Sequence, residues 1–218
     1  DLLDRRLSTS ISAYYMKYDN FQRTYNPDPA AGNPTQSVTN NVDGSTIQGV
    51  EAQLAGEVAN LGWDVSFAYN KGEYGSLPLT LPVGAINGVN PTTATVFNIK
   101  GQSIDYLPEL TWNAGLSYLG WHTGSGQIVP SVRVTHQGEY YTTFYHYDYN
   151  LTPAKTVIDA TLAYDSDNNW RAEIYAKNLA DKDYISRVQG GSAGADAARS
   201  TYLLGNPRQV GIKIRYQF

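Results

Sequence analysis

The chain has 218 residues, a formal net charge of −4 and no cysteine, which excludes a disulfide frame, thiolate metal sites and a broad basic footprint for nucleic acid. Its apolar runs are too short for a membrane-crossing helix, but strands that cross a membrane alternate rather than run apolar. Tyrosine occurs 18 times against 5 phenylalanines and 4 tryptophans, a bias that suits interfacial girdles or sugar-binding surfaces, where a ring needs one polar end.

Side chains in a strand alternate between two faces, and the chain shows this repeatedly. Leu7 to Lys17 sets Leu7, Thr9, Ile11, Ala13 and Tyr15 against Ser8, Ser10, Ser12 and Tyr14, and predicts a first strand. Residues 20–44 carry Asn26-Pro27-Asp28-Pro29 and Gly32-Asn33-Pro34 and predict a long loop. Thr46 to Gly56 is the second expected strand, and a short turn at Asn60-Leu61-Gly62 leads to the third, Trp63 to Tyr74. Residues 76–108, broken by Pro78, Pro82, Pro91 and Pro108, predict the longest irregular stretch. Leu110 to Tyr118 is a fourth strand, Gly120 to Gly126 a compact turn, and the fifth strand carries Ile128, Pro130, Val132 and Val134 on one face. Pro130 has no amide proton for a ladder, so a bulge or a strand start is expected there.

An aromatic loop, Tyr141 to Pro153, follows Tyr140. Thr156 to Tyr164 is the sixth strand, and Asp165-Ser166-Asp167-Asn168 a tight polar turn. The seventh strand starts at Trp170 and is expected to run past Asp181 to about Val188, with Gly190 to Ala195 a loop. The eighth, Arg208 to Phe218, places Val210, Ile212, Ile214, Tyr216 and Phe218 opposite Gln209, Gly211, Lys213, Arg215 and Gln217. Ile158, Leu162, Ile174, Val210, Ile212, Ile214 and Tyr216 are expected to face lipid, and Asp159, Glu173, Lys177, Lys213 and Arg215 the other side.

Along the chain the connections run long, short, long, short, long, short, long. A soluble sandwich has no reason to keep that order, whereas a membrane barrel has short periplasmic turns and long extracellular loops. The fold class read here is therefore all-β, an antiparallel transmembrane β-barrel meander. With Phe218 on the periplasmic side, residues 20–44, 76–108, 141–155 and 189–203 face outward.

The last strand resembles the C-terminal assembly signal of bacterial outer-membrane proteins, with Gln209, Gly211, Ile214, Tyr216 and Phe218 in its places. Ala172 to Tyr184, containing Asn178-Leu179-Ala180-Asp181-Lys182-Asp183-Tyr184, resembles the penultimate-strand motif of TonB-dependent outer-membrane receptors, with Ala180 where that family usually has Phe. Gly49-Val50-Glu51 is similar to the family's Gly-aliphatic-Glu element, and Leu2-Leu3-Asp4-Arg5-Arg6-Leu7 to a periplasmic turn leading into a mid-barrel strand. The resemblance implies a plugged barrel of about 22 strands, of which residues 1–218 are eight C-terminal strands, with the plug domain and earlier strands upstream. Asp1-Leu2-Leu3-Asp4 has neither the basic start nor the apolar core of a signal peptide, so an exported protein is expected to have further residues upstream as well.

The family makes and breaks no bonds. It takes up scarce nutrients, iron–siderophore complexes foremost, cobalamin or glycans otherwise, driven through TonB and the inner-membrane energising complex. Partners implied are outer-membrane lipid, the barrel-assembly machinery and a small ligand such as a metal chelate or oligosaccharide, and no cofactor is implied. For ligand contact the best candidates are Tyr140, Tyr141, Phe144, Tyr145, His146, Tyr147 and Tyr149, since aromatic faces stack on rings and hydroxyls hydrogen-bond. For any single tyrosine, a place in the interfacial girdle is about as good a reading. His122, His136 and His146 lack metal-ligand spacing. Two rivals stay open: a complete eight-stranded barrel with a structural or adhesive role, and an outer-membrane hydrolase.

Overall fold

The computed structural model describes residues 7–25, 38–81, 95–189 and 200–217. The first strand, β1 (Leu7–Tyr18), is followed by β2 (Phe21–Tyr25), β3 (Val38–Val42), β4 (Ser45–Val58), β5 (Leu61–Glu73), β6 (Pro78–Leu81), β7 (Thr95–Asn98) and β8 (Leu110–Tyr118). Then come β9 (Trp121–Thr123), β10 (Gly126–Gln137), β11 (Tyr140–Tyr141), β12 (Leu151–Thr152), β13 (Lys155–Ser166), β14 (Trp170–Lys177), β15 (Ile185–Gln189), β16 (Thr201–Leu204) and β17 (Gln209–Tyr216). The main sheet runs β1-β4-β5-β8-β10-β13-β14-β17, with β9 taking over from β8 against the start of β10. Each of its pairs is antiparallel. Among the described residues β1 and β17 end this path and do not pair with each other, so the sheet is the open meander that the connections predict, not a barrel closed at eight.

Three expectations are corrected. The long loops around residues 20–44 and 76–108 contain hairpins of their own, β2–β3 and β6–β7. The turn after β8 is only Gly124–Ser125, because Trp121–Thr123 is already laddered on β10. The seventh strand stops at Lys177, and Ile185–Gln189 instead forms a separate hairpin with Thr201–Leu204. Pro130 sits where the ladder toward β8 and β9 is interrupted, between Ile128 and Ser131, while its pairing with Leu162 on β13 is unbroken. Phe218 and residues 1–6, which carry parts of the terminal signal and the first turn, lie outside the described residues.

The register stacks like faces across the whole sheet. Leu162, Ile174 and Ile212 are in line on one face, as are Ile11, Ala52, Phe67, Trp112 and His136 further along. Val210, Ile212 and Ile214 are 69%, 72% and 72% exposed, and Val50, Leu116, Leu162 and Ile174 share that face at 41%, 46%, 47% and 52%. An apolar face of this extent in water would be an aggregation surface; in lipid it is the ordinary exterior of a barrel. Tyr118 meets Trp121 edge-on at 5.8 Å and Tyr164 lies 5.1 Å from Trp170, at the end of the short turns, where an interfacial girdle belongs.

The opposite face is polar. Arg133 makes two bonds to Asp64, 2.7 and 2.8 Å, across Gly115. A Cβ at Gly115 would fall 2.4 Å from Asp64 Oδ1 and 2.7 Å from Arg133 Nη2, so the glycine makes room for the pair. Gly49 does the same for Tyr14, whose hydroxyl donates to Asn70 Oδ1 over it. That is a physical reason for the Gly in Gly49-Val50-Glu51.

Strand β14 ends because Asn178 and Asp181 take left-handed backbone conformations, φ +48° and +51°, which Asn and Asp tolerate better than most residues. The buried Asn178 amide donates to Lys182 O and Asn206 O at 2.9 and 3.1 Å, and its Oδ1 accepts from Lys182 N at 3.0 Å. Asp181 accepts from Arg208 N at 2.8 Å. The Asn-Leu-x-Asp motif thus clasps the end of β14 to the start of β17. Asn178→Ala removes these three bonds and is expected to cost about 1–3 kcal/mol, read as a lower unfolding midpoint, while Leu179→Ala, on a side chain 43% exposed, shifts it little.

Candidate ligand-facing site

The long connections all leave the same end of the sheet, and the aromatic segment after β10 is their meeting point. Strand β11 pairs with β12, and a 3₁₀ turn at Asp148–Asn150 folds the intervening segment back. Thr142 N and Oγ1 both donate to Asn150 O, at 3.0 and 3.1 Å, and Asn150 Nδ2 donates to Thr143 Oγ1 at 2.9 Å. The rings of Phe144, Tyr145, Tyr147 and Tyr149 follow one another at 4.4, 5.4 and 4.9 Å. They pack on Val42, Tyr74, Leu77, Leu79, Ile99 and Ile104 from the first two connections, the one large apolar cluster among the described residues.

The connections are also tied by polar contacts. Arg23 on β2 donates through Nε to the Tyr74 hydroxyl at 2.7 Å and through Nη2 to Asp105 at 2.9 Å, and the Tyr74 hydroxyl itself donates to Asp105. Tyr106 N donates to Tyr141 O at 2.8 Å, and the Arg187 guanidinium of the last connection lies 5.4 Å from the Tyr106 ring. Val188 N donates to Thr152 Oγ1 at 3.1 Å. The outcome is one interlocked cap rather than four separate loops.

Phe144, Tyr145, His146 and Tyr147 are buried within this cap, and Tyr140, Tyr141 and Tyr149 are half-buried at its margin. Burial raises the Tyr147 hydroxyl well above the usual phenol range and pushes Tyr149 up to about 12. The Tyr74 hydroxyl is raised by burial and by the Asp105 carboxylate beside it. Among the described residues, Tyr147 OH and Asn150 Oδ1 are buried without a hydrogen-bond partner. His146 has φ +52° and stacks on Tyr141 at 4.1 Å, and its Nε2–H donates to Ser103 O at 2.9 Å. No group of three His, Cys, Asp or Glu side chains able to hold a metal occurs among the described residues.

Burial lowers the pKa of His146, outweighing the Ser103 carbonyl and Asp105 that favour its charged form. The folded cap therefore binds this proton less well than the unfolded segment, whose His titrates near about 6.5. Stability is complete above that pH and is lost as pH falls from there through the lowered folded pKa. Amide protection of Thr142 and Asn150 is expected to drop between pH 7.5 and 5, and the drop to flatten in His146→Phe.

Below the cap, on the polar face, the register forms two rows: Ser12, Glu51, Ala68, Thr111, Gln137, Lys155 and Ser10, Gln53, Ser66, Asn113, Thr135, Val157. All of these but Ser10 and Ser12 line a recess of about 400 Å³. Sequence reading singled out the aromatic cap and passed over this recess, because scattered Gln, Ser and Thr carry no motif and become a site only when register aligns them.

A sheet that exposes an apolar face, gathers its long connections at one end and clasps β14 to β17 through Asn178 and Asp181 has the features of one receptor class. The family model for the TonB dependent receptor-like β-barrel matches residues 1–179. The chain belongs to this family.

As a TonB-dependent receptor barrel it is an outer-membrane protein, and its apolar face is the lipid side. No curated protein sequence matches it. Among solved structures it is similar to the ferric yersiniabactin uptake receptor FyuA of Yersinia pestis, with a TM-score of 0.70 at 14% identity over 98% of this chain and 28% of that one. The siderophore receptor PiuA of Acinetobacter baumannii gives 0.67 at 15% over 98% and 26%, and the copper transporter OprC 0.64 at 18% over 98% and 29%. The chain thus spans less than a third of the length of these proteins. The family and these relatives are receptors and transporters.

Proposed function

We propose that the chain is the C-terminal sector of a TonB-driven receptor that takes up a scarce metal chelate, with a ferric siderophore as the first candidate. The observation that carries this reading is the interlocked cap standing over a polar recess on the lumen face, at the end of the wall where the long connections gather. In the same reading a plug domain and earlier strands complete the barrel, pair with β1 and β17, and connect the receptor to TonB and the inner-membrane energising complex. Unpaired edges are costly in lipid, which favours such covering strands. Gly211, Ile214, Tyr216 and Phe218 serve the barrel-assembly machinery, and Tyr140, Tyr141 and Tyr149, at the margin of the cap, meet the ligand. Phe144, Tyr145, His146 and Tyr147 hold those three in place from within. The receptor moves its ligand without making or breaking its bonds.

Cells bearing the intact receptor should accumulate a radiolabelled ferric chelate only while TonB and the proton gradient are both present. Uptake that persists without TonB, or a failure to accumulate any iron, copper, cobalamin or glycan ligand, overturns the reading.

A further inference from the structure

The two edges of the open sheet are chemically unlike. On the lumen face β1 presents Ser8, Ser10, Ser12, Tyr14, Met16 and Tyr18, none of them charged. The same face of β17 presents Gln209, Gly211, Lys213 and Arg215. Positive charge therefore gathers at one edge and not at the other.

At the short-turn end of that edge the register sets two arginines directly opposite each other, Arg171 on β14 and Arg215 on β17. Like charges at opposed positions of an antiparallel pair repel, and only one of these two is compensated. Arg171 donates from Nη1 to both Asp165 carboxylate oxygens at 2.9 Å and from Nε to Glu173 at 3.2 Å. Lys213 shares Glu173 at 3.5 Å. Arg215 is exposed and makes no ion pair or side-chain hydrogen bond with any described residue. The sheet cannot supply the missing acid by closing on itself, since β1 would set only neutral side chains against Arg215.

Resting on the uptake reading above, in which a further strand covers β17, we propose that this strand carries an aspartate or glutamate on its lumen face opposite Arg215. The ion pair then fastens the barrel seam at its short-turn end. A hydroxyl or amide there would leave the repulsion between Arg171 and Arg215 standing. A carboxylate instead completes the row that begins with Asp165, Arg171 and Arg215, so that each guanidinium has an anion beside it, and the planar fork of Arg215 can hold it by two parallel bonds.

The test is the sign of one substitution in the intact receptor, read as the temperature at which the barrel loses its heat-modifiable mobility in the gel. Arg215→Glu replaces the cation opposite Arg171 by an anion. With no acid across the seam this removes a repulsion, and the transition stays where it is or rises. With the proposed carboxylate in place it sets two anions against each other, and the transition falls, while Arg215→Lys leaves it nearly unchanged. High salt should narrow the gap between wild type and Arg215→Glu, because charges at a wet rim are screened. Exchanging the opposing acid for Lys in the Arg215→Glu background should bring the transition back. Failure of Arg215→Glu to assemble supports the proposal if that exchange restores assembly and overturns it if it does not. Arg215→Cys, combined with a cysteine substitution at the opposing acid, should form a disulfide across the seam; residues 1–218 contain no cysteine to compete. An unchanged or higher transition in Arg215→Glu overturns the proposal, as does a disulfide that forms only with a cysteine placed in the plug domain. Neither result touches the uptake reading, which falls only if the wild-type receptor fails its own TonB-dependent accumulation assay.

Discussion

Ile212→Arg is expected to destabilise the barrel in lipid by about 2–4 kcal/mol, the cost of a cation on the lipid face near mid-membrane. Ile212 is 72% exposed on the apolar face, between Val210 and Ile214, and pairs with Ile174. Its neighbour Lys213 points the other way and reaches Glu173 at 3.5 Å. Because that ion pair is open to water on the Lys213 side, Lys213→Ala is expected to cost well under 1 kcal/mol. Folding titrations into lipid bilayers, compared with the same pair of variants in detergent of shorter chain, measure the difference. Equal effects of the two substitutions would mean that the strand is turned by one residue, which exchanges every side chain between lipid and lumen.

Asp105→Ala should produce the second large effect, confined to the cap. Its carboxylate accepts from the Arg23 guanidinium at 2.9 Å and from the Tyr74 hydroxyl. The side chains of Arg23 and Asp105 retain only 23% and 12% of their accessible surface. Removing one partner of a poorly hydrated pair leaves the other charge without compensation, at a cost of about 3 kcal/mol. The first and second connections should then separate, and proteases added outside the cell should cut the cap sooner, while the sheet itself keeps its unfolding midpoint. The double variant Arg23→Ala with Asp105→Ala should lose less than the sum of the single losses, since no charge is stranded. Strict additivity would show that the pair contributes nothing as a pair.

The wall was legible in the sequence because period two survives in it almost without interruption. Each wall strand shows its apolar face in residue order, and Asn60 and Asp167-Asn168 mark the short turns between them. The alternation of long and short connections was enough to give the direction of every strand. The break after Lys177 was not legible, since Tyr184 to Val188 continues to look strand-like. Only the left-handed backbone at Asn178 and Asp181, held by bonds to Lys182, Asn206 and Arg208, turns the chain away.

The site divides along the same line. Composition alone marked Tyr140–Tyr149 as unusual, and those residues do form the centre of the outer connections. Which rings face inward is a property of packing: Tyr147 is 1% exposed because Tyr145 and Tyr149 stack on either side and the first two connections close over it. The recess below depends still more on tertiary structure. Gln53, Thr111, Thr135 and Gln137 come from three strands, and only the pairing register places them in adjacent rows. Local alternation determined the strands, their faces and the membrane, because each is set by side chains a few residues apart. The cap and the recess were decided by contacts between residues far apart in sequence, since a hydrogen bond or a ring stack across connections leaves no periodic trace in the chain.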